Sequence, residues 1–102
     1  MPKPDIKIWT PFQQGATVGQ TGSENGIIVK DEEYQNCRIT LEQCDNYHAI
    51  TCGVYGSFTH TAFCTPQISM SVYNAMQREL QAFLDDPDAN ADAFYNSFAS
   101  RY

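Results

Sequence analysis

The sequence predicts an α+β domain: an antiparallel β-meander of about four strands with C-terminal helices packed on one face. Three observations carry that reading. Residues 27–64 gather β-branched and aromatic side chains into runs separated by polar or Gly-containing breaks. Beyond residue 65 the apolar positions recur at steps of three and four, the period of a helix. The strand runs also precede the helical ones instead of alternating with them, which favours a meander capped by helices over a crossover fold.

With 102 residues, the chain has the length of a single domain and enough apolar residues for one modest core. We divide it into a loop-rich N-terminal segment (1–26), the meander (27–64) and the helices (65–102). In the first segment only Ile6 and Ile8 alternate, so a short strand is expected there, followed by a long flexible loop. The glycines at 15, 19 and 22 resemble a phosphate cradle only superficially. No Gly-Lys-Ser/Thr opens a helix and no GxGxxG joins a strand to one.

The first strand run covers residues 27–33. In the second, CRITLEQC, Cys37, Ile39 and Leu41 fall on one face and Arg38, Thr40 and Glu42 on the other. The third and fourth runs, from 47 to 53 or 54 and from 57 or 58 to 64, are joined by a tight turn. A three-residue loop ending in Gly favours Val54, Tyr55 and Gly56 as the loop, which pairs Cys52 with Phe58 and Ile50 with His60. A loop at 55–57 instead sets Cys52 opposite His60. Either register leaves His48, Ile50, Cys52, Phe58, His60, Ala62 and Cys64 on one face. Tyr47, Ala49, Thr51, Thr59, Thr61 and Phe63 then share the other.

For the first helix, Thr65 is the expected cap and Pro66 the first helical residue. Its apolar stripe is Val72, Tyr73, Met76, Leu80, Phe83 and Leu84, and Pro87 ends it. A second helix, capped by Asp88, Asn90 or Asp92, carries Phe94 and Phe98 on its apolar side.

Charge narrows the partners. Twelve acidic against six Lys and Arg residues leave a net charge of −6, which repels phosphate backbones and anionic lipid. Nucleic acid and membrane are therefore not expected, and a protein partner or a second copy is. The opening MPKPDIKIW lacks the apolar stretch of a secretory signal, and no apolar run approaches the roughly 20 residues of a membrane span. A cytoplasmic location follows as the expectation, with four reduced cysteines.

Three constellations are candidates for chemistry. Cys52 and His60 are the candidate catalytic pair of a small thiol-dependent hydrolase, a reading that needs the imidazole within reach of the sulfur. Six Cys and His residues offer zinc ligands, but without a CxxC knuckle, and with His48 and Cys52 about 13 Å apart along one strand, no metal is expected. LDDPDANADAF places Asp86, Asp88 and Asn90 like an EF-hand, yet Ala91 and Ser97 stand where Gly and Glu are required. No cofactor is expected.

The leading expectation is a small acidic non-enzymatic protein acting through protein contact, as a homo-oligomer or by neutralising a basic partner. Its binding residues are Tyr47, Thr51, Thr59, Thr61 and Phe63, on the face left open if the helices cover the Cys/His side. The alternatives are the thiol hydrolase, or a small-molecule binder lined between sheet and helix by Tyr73, Met76 and the histidines.

Overall fold

A computed structural model describes residues 8–102 of the chain, and each alternating run in it becomes a strand of one antiparallel sheet. The strands are β1 (Thr10–Pro11), β2 (Ile27–Tyr34), β3 (Cys37–Gln43), β4 (His48–Val54) and β5 (Phe58–Cys64), in spatial order β1-β2-β3-β4-β5. The helices α1 (Ser69–Asp85) and α2 (Ala91–Arg101) follow. The fold is thus the expected α+β meander with a fifth, two-residue strand added. The strand expected around Ile6 and Ile8 falls largely outside the described residues; Ile8 sits in a bend, and β1 follows at Thr10.

Period-two alternation divides the sheet as the sequence indicates. Cys37, Ile39, Leu41, Ile50, Cys52, Val54 and Ala62 are all buried on the face that receives Tyr73, Met76 and Leu80 of α1 and Phe98 of α2. α2 is fastened through aromatic contacts: Phe58 stacks on Tyr95 at 4.4 Å, and Phe83 on Phe94 at 4.2 Å. The burial is close to complete, with Ile39, Ile50, Tyr73, Met76, Leu80 and Phe98 each at 0% exposure. Area removed from water on this scale is the main stabilising term of a small domain.

The start of α1 differs from expectation. Residues 65–68 form a turn closed by Ile68 N–H donating to the Thr65 carbonyl, and the helix begins at Ser69. Proline suits the second position of such a turn as well as it suits a first helical turn. Ser69 contributes the local reason: its hydroxyl donates back to the Pro66 carbonyl at 3.1 Å. Asn90 caps α2, its side-chain oxygen accepting from Ala93 N–H at 2.9 Å.

Residues 10–26 do not form a free loop. After β1 pairs with the end of β2, the chain crosses the helix-free face of the sheet and returns to the beginning of β2. There Gly19 N–H donates to the Ile28 carbonyl and Ile28 N–H to the Gln20 carbonyl. We call residues 12–26 the strap.

Candidate functional site

The hairpin between β4 and β5 sets the geometry of both candidate sites. Its loop is residues 55–57, so Val54 faces Phe58 and Cys52 faces His60, the register the sequence favours less. Gly56 occupies the third position of the turn that Ser57 N–H closes onto the Val54 carbonyl, and its φ of +76° is the left-handed conformation that Gly accepts freely. Two long-range gains support this register. Val54 stays in the strand and is buried opposite Cys37, and Tyr55 N–H reaches the Asn36 carbonyl in the neighbouring hairpin at 2.8 Å.

Facing each other does not make Cys52 and His60 a reactive pair. Cys52 is 1% exposed, and burial pushes its thiol up to about 12, far from the thiolate a nucleophile requires. The His60 ring packs against Phe58 and, edge to face, against Phe98, and its Nε2 has no hydrogen-bond partner among the described residues. His48 has a partner the sequence did not indicate: its Nδ1 lies 2.7 Å from Ser69 Oγ. Ser69 Oγ thus lies within hydrogen-bond distance of both His48 Nδ1 and the Pro66 carbonyl, at 2.7 and 3.1 Å. The contact ties the start of α1 to β4.

Tyr73 and Met76, expected as pocket lining, are fully buried in the core between sheet and helix. No three His, Cys, Asp or Glu side chains converge as metal ligands among the described residues.

On the opposite face the five predicted binding residues come together on β4, β5 and the turn before them. Thr51 and Thr61 are cross-strand partners with their hydroxyls 3.2 Å apart, and Thr59 stands opposite Gly53. The Tyr47 and Phe63 rings meet edge to face at 5.8 Å, with Phe63 60% exposed. A hydrogen bond with the Cys44 side chain, then the nearby negative groups, raises the Tyr47 phenol above its ordinary value. Ala49, on the same face, is fully buried.

Thr51 and Thr59 also border a groove of about 1050 Å³ between the strap and the sheet, with Phe12 and Thr17 on the strap side and Arg38 and Thr40 beside them on the sheet. These neighbours were not recognised from sequence. Asp31, 2% exposed, organises them: it accepts from Thr17 Oγ1 at 2.7 Å, from Thr40 Oγ1 at 3.0 Å, and from Arg38 Nε and Nη2 at 2.9 and 2.6 Å. Burial alone works to raise the Asp31 pKa. The hydrogen bonds from Arg38, Thr17 and Thr40, with the Arg38 charge, outweigh it and hold the carboxyl below its ordinary range. The Arg38 guanidinium lies 3.8 Å from the Phe12 ring centroid, pinning the strap from above.

Glu42 is the second anchor. Its carboxylate is fully buried and accepts the backbone N–H groups of Glu24 and Gly26. A Cβ at Gly22 would overlap that carboxylate, and one at Gly26 would meet Cys44 Sγ at 2.7 Å and the Gln43 carbonyl at 2.9 Å. Two of the glycines that read as loop flexibility are therefore required for close approach. No family model, curated protein or solved structure matches the chain.

Proposed function

We propose that the chain is a small acidic non-enzymatic protein that acts through protein contact, and that its docking face is the open side of β4 and β5. The observation that carries this reading is the division of the sheet. Both helices lie on the Cys/His side, while Tyr47 and Phe63 remain exposed against each other beside Thr51, Thr59 and Thr61. Aromatic area next to hydroxyls is the composition of an interface centre with an adaptable polar surround. A net charge of −6 favours a basic protein as the partner, whose cationic surface the chain neutralises, and disfavours nucleic acid and anionic lipid.

The cross-strand pairing of Cys52 with His60 supports one rival, the thiol-dependent hydrolase, against which stand the burial and the high pKa of the thiol. One experiment separates the two. Wild type, Phe63→Lys and Cys52→Ser serve as immobilised baits, with thermal melting of each. A basic protein retained by wild type and Cys52→Ser but lost by Phe63→Lys is the expected result. Cys52→Ser should melt lower, by about 1–3 kcal/mol for a hydroxyl placed at a buried apolar position. Retention unaffected by Phe63→Lys, with an esterase turnover that vanishes in folded Cys52→Ser, overturns the docking reading.

We further propose a cytoplasmic location, where thiols stay reduced. Among the described residues no cysteine is paired, so all four should titrate as free thiols in denaturant without reductant. A smaller count would move the chain to an oxidising compartment. No helix among the described residues is long and apolar enough to cross a membrane.

A further inference from the structure

The two edges of the sheet are built differently. An open edge exposes a row of unpaired N–H and C=O groups, and proteins blunt it with a short strand, a proline, a charge or a bulge. At one edge, β1 is two residues long and one of them is Pro11. At the other edge, β5 has none of these protections. It runs seven residues, FTHTAFC, with neither charge nor proline, and pairs with β4 in unbroken register. In this it matches β4, HAITCGV, which is paired on both sides, and differs from β2 and β3, which both carry charges. β5 has the composition of an interior strand at a position where no further strand follows among the described residues.

We infer that β5 is completed by β5 of a second copy of this chain, antiparallel, about a two-fold axis through Thr61. Self-pairing suits this edge better than a foreign strand does. The segment offers no acidic residue to a basic partner and no cation to an acidic one, and two copies meet there without opposing charges. Thr61 is the middle residue of Phe58–Cys64, so centring on it pairs the whole strand: Phe58 with Cys64, Thr59 with Phe63, His60 with Ala62. A residue-centred two-fold also keeps opposed side chains on matching faces, which leaves the helices of both copies on one side of a continuous sheet. The polar face supports the same centre. Asp31, Thr40, Thr51 and Thr61 lie in one cross-strand row, with Thr40 bonded to Asp31 and Thr51 to Thr61, and the row ends at the free edge. The two-fold continues it, hydroxyl to hydroxyl, into the second copy. It also lays each exposed Phe63 beside the other copy's Thr59.

This pairing shares Thr59, Thr61 and Phe63 with the docking face, but it is read by the mass and amide exchange of wild type alone, whereas the docking face is read by retention of a basic protein, so the two fail separately. Sedimentation equilibrium on the full chain, from low micromolar to several hundred micromolar, should give a mass that rises from monomer to dimer. Thr61→Arg, which sets two cations against each other at the axis, should weaken the dimer by about tenfold or more. Thr51→Arg, on the same face but one strand inward, should leave it intact. Hydrogen exchange on wild type gives an answer that needs no variant: amides of β5 should gain protection with concentration while those of β1 do not. A wild type that is monomeric throughout, or whose β5 amides ignore concentration, overturns the edge pairing and leaves the docking face to its own bait experiment. A dimer broken equally by Thr51→Arg overturns it in favour of face-to-face association.

Discussion

The two faces of this sheet are made from alternate residues of the same strands, yet they are closed by different physics. On the helix side, Leu80, Met76, Tyr73 and Phe98 cover Ile39, Leu41, Ile50 and Cys52, and the attachment is mainly apolar area, with directed bonds only at its margin, between His48 and Ser69, from Tyr73 and Gln77 to Glu32 and from Tyr34 to Asp85. On the other side, the strap is held by two carboxylates, Asp31 and Glu42, each accepting several hydrogen bonds in a buried place. Apolar closure tolerates small shifts and hardly responds to pH. The polar latch depends on a few directed bonds and on the charge of its acceptors, and breaking one leaves buried partners unsatisfied. The helix face therefore carries most of the apolar core, and the strap covers part of the polar face.

The largest effect should come from the apolar side. Phe98→Ala removes a ring buried against Phe58, His60, Phe94 and Tyr102, and should cost about 3–5 kcal/mol in urea unfolding. A smaller loss than that of the strap variants below would reverse the ranking of the two faces.

Next is Asp31→Ala, which strips Arg38, Thr17 and Thr40 of their common acceptor and should cost about 1–3 kcal/mol. Its pH dependence has a definite sign. The folded carboxyl titrates below the ordinary value of 3.8, so its contribution is present above that pH and lost as the pH falls through the lower folded value. The stability gap between wild type and Asp31→Asn should accordingly narrow below pH 3.8. A gap that stays constant through acid would mean the carboxylate charge does not hold the strap.

What the sequence showed follows the same division. Alternation in CRITLEQ and the three-four spacing from Val72 to Leu84 report apolar burial directly, so β2 to β5, the body of α1 and the composition of both faces were legible, whereas β1 and the start of α1 were not. The hairpin register was not, because Gly56 fits either loop and the deciding contacts, Val54 on Cys37 and Tyr55 on Asn36, come from a distant hairpin. The strap was not legible either. Its glycines signal freedom when read locally, whereas Gly22 and Gly26 are small because Glu42 and Cys44 stand next to them, some twenty residues away in sequence. Asp31 and Arg38 carry no local signal of their partnership either, since no pattern along one chain reveals a carboxylate shared among three donors.

Gly22→Ala tests that explanation with a smaller effect. Its methyl group would displace the Glu42 carboxylate from the amides of Glu24 and Gly26, so these two amides should exchange faster at a stability loss of about 1 kcal/mol. Amides of α1 should be unaffected beyond that global change. Unchanged exchange at Glu24 and Gly26 would show that the strap does not depend on the close approach.

The smallest stability effect belongs to the proposed docking face. Phe63 is exposed and touches only Tyr47 among the ring contacts described, so Phe63→Ser removes little buried area from the monomer and should move its unfolding free energy by less than about 0.5 kcal/mol. A large aromatic side chain exposed where it hardly stabilises the fold is free to make a contact outside the chain, as the proposed docking face requires. Equilibrium unfolding should be read at a concentration where wild type is monomeric, because self-association would otherwise add its own stabilisation to the wild-type value. A loss of 2 kcal/mol or more under those conditions, roughly the value of burying a large apolar side chain, would show that Phe63 belongs to the monomer core. It would also remove the aromatic centre from the docking face.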